Sequence, residues 1–482
     1  MKRILWLSVA CLALAWSVTG SATVSAADGY AVVVSGATFA DAEWKPVIAA
    51  LVAKHDAKVI PFDRAVGESL PALKQQLPRY ICFVAQPAEA TREFVADVNR
   101  LTRKLDDDPY TDAIWGILTG YDANCALRIA KQTEPLEIHR VGAATEVELG
   151  LCDEGVWYSE LKRGKMVRKD AGKEPREQAG PPDSTKALVD TLNDYHAQLF
   201  ITSGHASERN WMIGYAYPNG QFRSTAGQLF GIDTKGQKFP VRSDNPKVYL
   251  PVGNCLMGHI NGPDSMALAF MNSAGVDQMI GYTMPTYYGY GGWGLLDYFV
   301  EQPGRFTLAE AFYVNQQALI YRLETMFPGA GTADADQPAD KTALSDAAIK
   351  AHLTRDDARG LLFDRDSVAF YGDPAWSAKM APGPLAWDQA LNERAGGYEF
   401  EIKPLQGEKS FETINKNGSQ RGGRPIVQLL PHRIKAPSVR ITAGADLQPL
   451  VTSNFILVPR PDHFDPRRSY MVVFTADRLD SQ

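Results

Sequence analysis

Long apolar runs, cysteine and excess positive charge are all in short supply in this chain of 482 residues. Past the N-terminus no stretch reaches the ~18 uninterrupted apolar residues that a membrane helix requires, so stable insertion into a bilayer is not expected. Only five cysteines are present. A chain of this size buries enough surface to fold without a disulfide framework. The 50 Lys and Arg are outnumbered by 56 Asp and Glu, a net charge of -6. That balance argues against a nucleic-acid partner, which calls for a basic stripe. The one basic concentration, residues 162–176, is interleaved with Asp170 and Glu174 and reads as a solvated loop.

The N-terminus has the layout of a secretory signal. Lys2 and Arg3 precede an apolar core from Ile4 to Val18, and small residues follow through Val24-Ser25-Ala26-Ala27. The core is too short to span a bilayer, and Val24 with Ala26 fits a small-residue cleavage pattern, so residues 1–26 read as a signal peptide. Cys11 sits inside the apolar core rather than after it, which argues against lipidation. The expected mature protein is secreted or periplasmic. Four cysteines remain beyond the signal, Cys82, Cys125, Cys152 and Cys255. They permit two disulfides without requiring them. Cys82 lies in the apolar run Tyr80-Ile-Cys-Phe-Val and reads as a buried thiol, whereas a pairing of Cys125 with Cys152 stays open.

Strand-like and helix-like patterns alternate from Tyr30 to Lys131, which implies crossover units and a parallel sheet. A charged stretch at residues 162–182 interrupts the pattern and reads as a long exposed loop, open to proteolytic processing. Alternation then resumes, with strands expected at 198–202, 247–252 and 276–282 and a packed helix at 265–272. The tract at 327–338, rich in small and polar residues, reads as a flexible excursion. Beyond about Pro384 short apolar runs separated by Gly and Pro clusters read as a β sandwich. The expected fold class is therefore α/β, in parts at 27–135 and 136–384, followed by a β module at 385–482.

Two segments carry chemistry: Leu199-Phe-Ile-Thr-Ser-Gly-His205 and Val248-Tyr-Leu-Pro-Val-Gly-Asn-Cys255. Each is a short apolar run closed by a glycine and a polar side chain, the pattern of a buried parallel strand that opens onto a loop at its C-terminal end. Ligands of open α/β sheets bind at that edge. If the strands are neighbours, an imidazole and a thiol emerge side by side, the smallest unit of cysteine nucleophilic catalysis. Such a thiol must be ionised to attack a carbonyl. The oxyanion that forms needs donors, for which the backbone N–H groups of Cys255 and Ala206 are candidates.

These blocks resemble those of the gingipain-type cysteine peptidases, a family grouped with caspases, legumains and clostripain. Residues 205 and 255 are fifty apart, and caspases carry a His about 50 residues upstream of the nucleophile. Further similar stretches are Asp108-Pro-Tyr-Thr-Asp-Ala-Ile-Trp-Gly, Val276-Asp-Gln-Met-Ile-Gly-Tyr-Thr and Phe370-Tyr-Gly-Asp-Pro-Ala. The resemblance implies two caspase-like subdomains of parallel strands and helices, a C-terminal immunoglobulin-like sandwich, His205 as general base, Cys255 as nucleophile, a protein or peptide substrate and no cofactor. The chain departs from the family in carrying Ala206 where Gly usually follows the His, and Asn254 where Ala or Ser usually precedes the Cys.

Other readings stay open on the residues alone. An inert pair would make the chain a binding or scaffold protein. Cys255 and His259 at i, i+4 spacing, with His205 and Asp264, permit a metal site if they share a helix face; otherwise His259 lines the pocket, as does Asn254. Trp293, in Tyr287-Tyr-Gly-Tyr-Gly-Gly-Trp-Gly, belongs either to a loop that closes over a peptide or to a packed hairpin.

Overall fold

The computed structural model describes residues 29–331, 342–394, 396–460, 465 and 467–479. The signal-peptide reading, and most of the flexible tract expected at 327–338, lie outside the described residues.

Twelve strands form one continuous sheet. In spatial order they are Lys58–Phe62, Tyr30–Ser35, Tyr80–Val84, Ile114–Leu118, Val368–Tyr371, Val276–Tyr282, Lys247–Pro251, Leu199–Thr202, Arg140–Ala143, Glu154–Tyr158, Lys165–Lys169 and Arg176–Ala179. Most neighbours are parallel, and the strands that lie inside are almost wholly apolar because helices cover such sheets. The two expected α/β parts thus share one sheet, and their buried residues form one core cluster. The join is an antiparallel seam, Met279 opposite Tyr371 and Tyr282 opposite Val368. Val368–Tyr371 then runs parallel to Ile114–Leu118.

The turn after that seam strand is locked by charge. Asp373 accepts hydrogen bonds from Tyr30 Oη at 2.8 Å and Lys54 Nζ at 2.9 Å. Its second oxygen lies 2.8 Å from His55 Nε2. Burial opposes ionisation, but the His55 hydrogen bond and the Lys54 charge hold the Asp373 carboxyl well below the usual carboxylate range. The Phe370-Tyr-Gly-Asp motif is therefore a structural tie between the seam strand and the first βα unit.

Residues 162–182 differ from the expected loop. Lys165–Lys169 and Arg176–Ala179 pair as an antiparallel hairpin at the edge of the great sheet, which leaves the turn between them, residues 170–175, outside the ladders. Charged residues at most of its positions leave the hairpin half-buried at Lys165–Lys169 and exposed at Arg176–Ala179, which hides a strand pattern from a hydrophobicity reading. A second element escaped the sequence altogether: five antiparallel strands, Ala206–Ser207, Asn210–Met212, Gln221–Thr225, Gln228–Ile232 and Lys238–Pro240, occupy the interval between His205 and Cys255.

The C-terminal part holds a four-stranded and a three-stranded antiparallel sheet. Tyr398, Phe400, Ile402, Ile456, Val472 and Phe474 belong to its own core, whereas Val427, Phe455 and Leu457 point into the main one. Among the described residues no helix is long and apolar enough to cross a membrane.

Candidate active site

The strands Leu199–Thr202 and Lys247–Pro251 are parallel neighbours, with Leu199 opposite Val248 and Thr202 opposite Pro251. Equal register makes both chains leave the sheet at the same edge. His205 and Cys255 both line a cavity of about 450 Å3 there, with Glu160, Ser203, Tyr215, Thr286, Tyr287, Trp293 and residues 417–419. Among the described residues no hydrogen bond joins the imidazole to the thiol. The Cys255 sulfur instead accepts one from the Thr286 N–H at 3.2 Å.

The His205 loop is built by a hairpin. Gly204 has φ of +97°, a turn that a side chain would strain. Ala206 pairs with Trp211 across the hairpin, and the Trp211 indole N–H donates to the Ser203 carbonyl at 2.7 Å in the core. Ala206 itself is outside the cavity lining. The chain continues to Tyr215, whose ring stacks on the His205 imidazole with centroids 5.0 Å apart and planes at 29°.

Asn254 does not line the cavity. It is fully buried, because its amide completes a polar chain between the two strand ends. Thr202 Oγ1 donates to Asn254 Oδ1 at 2.6 Å, and Asn254 Nδ2 donates to the Gly204 carbonyl at 2.9 Å. A hydroxyl has one proton, so Tyr249 Oη, 2.9 Å from Thr202 Oγ1, is the donor in that contact.

His259 is likewise outside the cavity lining. Residues 255–258 form turns rather than a helix, and Leu256 has φ of +59°, so Cys255 and His259 do not share a helix face. Burial and the nearby Arg92 charge lower the His259 pKa. Three carboxylates close enough to share an ion are Asp106, Asp108 and Asp112; Cys255, His205, His259 and Asp264 form no such group among the described residues. Asp112 lines a separate cavity with Arg79, Tyr313 and Arg433.

Trp293 belongs to neither a loop nor a hairpin. It sits in the helix Tyr290–Phe299, which opens at Gly289, and it is 6% exposed against the cavity. Periodicity was obscured by the glycines, which depress helix propensity.

Two contributions were not visible in the sequence. Glu160, 5% exposed, faces the cavity, accepts a hydrogen bond from Thr145 Oγ1 at 2.6 Å and leaves Oε2 without a partner. Burial raises its pKa. The second is a wall supplied by the C-terminal part. Asn417 Nδ2 donates to Thr145 Oγ1 at 2.9 Å. At Gly418, with φ of +94°, a Cβ would stand 2.2 Å from Trp293 Cδ2, so only glycine permits this approach. Arg421 binds Asp297 on the Trp293 helix and Glu301 just past its end, anchoring the loop. Large apolar side chains are exposed round the mouth: Leu161, Tyr215 and Tyr287.

The remaining cysteines are free and buried, so Cys125 and Cys152 form no disulfide. Burial raises the Cys82 and Cys125 pKa values and pushes the Cys152 thiol up to about 12. Cys255 alone among the four is partly exposed.

No protein-family model matches this chain, and no curated protein matches it. Among solved structures, a chain titled "Structure of Protease" aligns with 94% of this chain and 97% of its own length, at 10% identity and a TM-score of 0.43. A likeness that distant carries no argument about activity.

Proposed function

We propose that this protein is an exported cysteine endopeptidase of gingipain type, with Cys255 as nucleophile and His205 as general base. One observation carries the reading: the two side chains leave adjoining parallel strands in register and line one cavity. The thiolate attacks the peptide carbonyl, forming a C–S bond and a tetrahedral oxyanion. Collapse breaks the C–N bond, the imidazolium delivers its proton to the departing amine, and a thioester remains. Water, deprotonated by His205, then displaces the sulfur and releases the carboxylate product. The Cys255 N–H, which has no acceptor among the described residues, is a donor for the oxyanion, with the Ala206 N–H as the second donor in this reading. The seven strands of the C-terminal part, in two sheets, support an immunoglobulin-like module.

Glu160 supports a substrate preference within this reading. Its buried carboxylate with an unpartnered oxygen is stabilised by a cation entering the cavity, which favours Lys or Arg before the cleaved bond. The experiment is cleavage of a denatured protein substrate, with product termini read by mass spectrometry, by wild type, Cys255→Ala and His205→Ala. Cleavage lost in both variants is the expected result. No cleavage by wild type, together with ordinary thiol reactivity at Cys255, supports a scaffold built on this fold instead.

A further inference from the structure

A general base has to be held in one plane and rotamer. In cysteine and serine hydrolases a third group does this through a hydrogen bond to the far ring nitrogen. Among the described residues the His205 imidazole has no hydrogen-bonding side chain of that kind, and its ring contact is the stack on Tyr215. We propose that Tyr215 is the positioning residue of the site, orienting His205 through its ring face. This inference rests on the dyad proposed above.

The surrounding backbone is built to hold the ring. The N–H groups of Tyr215 and Ala216 both donate to the Glu160 carbonyl, at 2.8 and 3.0 Å. The segment that carries the ring is thereby fastened to the residue whose carboxylate faces the cavity. On the other arm, the Met212 N–H donates to the His205 carbonyl at 2.8 Å. The imidazole thus sits at the start of one arm of the hairpin and the phenol three residues past the end of the other, held there by the bonds to Glu160. Stacking leaves both imidazole nitrogens uncommitted, the lone pair of one for the thiol proton and the N–H of the other for solvent. A hydrogen-bonding third residue takes one of them.

The test measures the rate of iodoacetamide alkylation of Cys255, read by peptide mass spectrometry from pH 4 to 9, in the full chain. Wild type is compared with Tyr215→Phe, Tyr215→Ala and His205→Ala, and thermal unfolding verifies that each variant is folded. Loss of an aromatic pair predicts labelling about two- to tenfold slower below pH 7 in Tyr215→Ala, with Tyr215→Phe like wild type. Slow labelling in His205→Ala with wild-type labelling in Tyr215→Ala overturns the positioning role and leaves the dyad standing. A defect in Tyr215→Phe equal to that in Tyr215→Ala also overturns it, since the hydroxyl rather than the ring face would then act. If His205→Ala labels like wild type, the dyad fails and the positioning role fails with it.

Discussion

Asn254 and Gly204, each one residue before a member of the proposed dyad, are joined directly: the Asn254 side-chain amide donates to the Gly204 carbonyl at 2.9 Å. The bond crosses between the two strand ends and fixes the His205 loop against the Cys255 loop. An asparagine at this place is thus a clamp between the two loops. Asn254→Ala strands the Gly204 carbonyl and the Thr202 hydroxyl in the core. The expected loss of stability is about 1–3 kcal/mol, measured by urea unfolding. Alkylation of Cys255 should fall below wild type even where the variant is fully folded. Unchanged stability would show that the clamp is slack.

Glu160 offers a charge test. Glu160→Gln keeps the shape and the Thr145 contact but removes the anionic form. For paired peptides differing only in Arg or Gln before the cleaved bond, the kcat/KM ratio is expected to fall about ten- to a hundredfold in the variant, with the Gln substrate little affected. An equal loss on both substrates would mark Glu160 as structural.

Asp373 predicts a pH dependence of the fold. Its carboxyl is held below its ordinary value of 3.8 by His55 and Lys54. The stabilisation is complete above that value and is lost as pH falls through the lower folded one. Chemical unfolding at pH 7 and at pH 3 should therefore show a smaller acid loss in Asp373→Asn than in wild type. At pH 7 the variant should be about 3–5 kcal/mol less stable, because the Lys54 ammonium loses its anionic partner.

Thiol counting separates the cysteines. With Cys82, Cys125 and Cys152 buried and unpaired, a thiol reagent should label Cys255 in the native protein and these three only after unfolding, without a reductant. Detection of a Cys125–Cys152 disulfide in the native protein would contradict the structure.

Much of the α/β layout was legible because buried parallel strands are written as apolar runs. Leu199–Thr202, Lys247–Pro251 and Val276–Tyr282 fall where hydrophobicity puts them, as does the helix Met266–Ser273. The hairpin within residues 162–182 was illegible for the opposite reason. Its strands, half-buried at Lys165–Lys169 and exposed at Arg176–Ala179, carry charges on both faces, and only the pairing of backbone groups makes them strands.

The sequence by itself determined which strand carries His205 and which carries Cys255, since each side chain follows its own apolar run within a few residues. Tertiary structure alone decided that the runs are neighbours in register, that Asn254 turns inward to clamp them, and that Glu160, Tyr215 and residues 417–419 complete the cavity. Glu160, Tyr215 and residues 417–419 lie 40 or more positions from Cys255. No local pattern encodes such contacts, because they arise from how strand order and the docking of the C-terminal sheets bring distant loops to one edge.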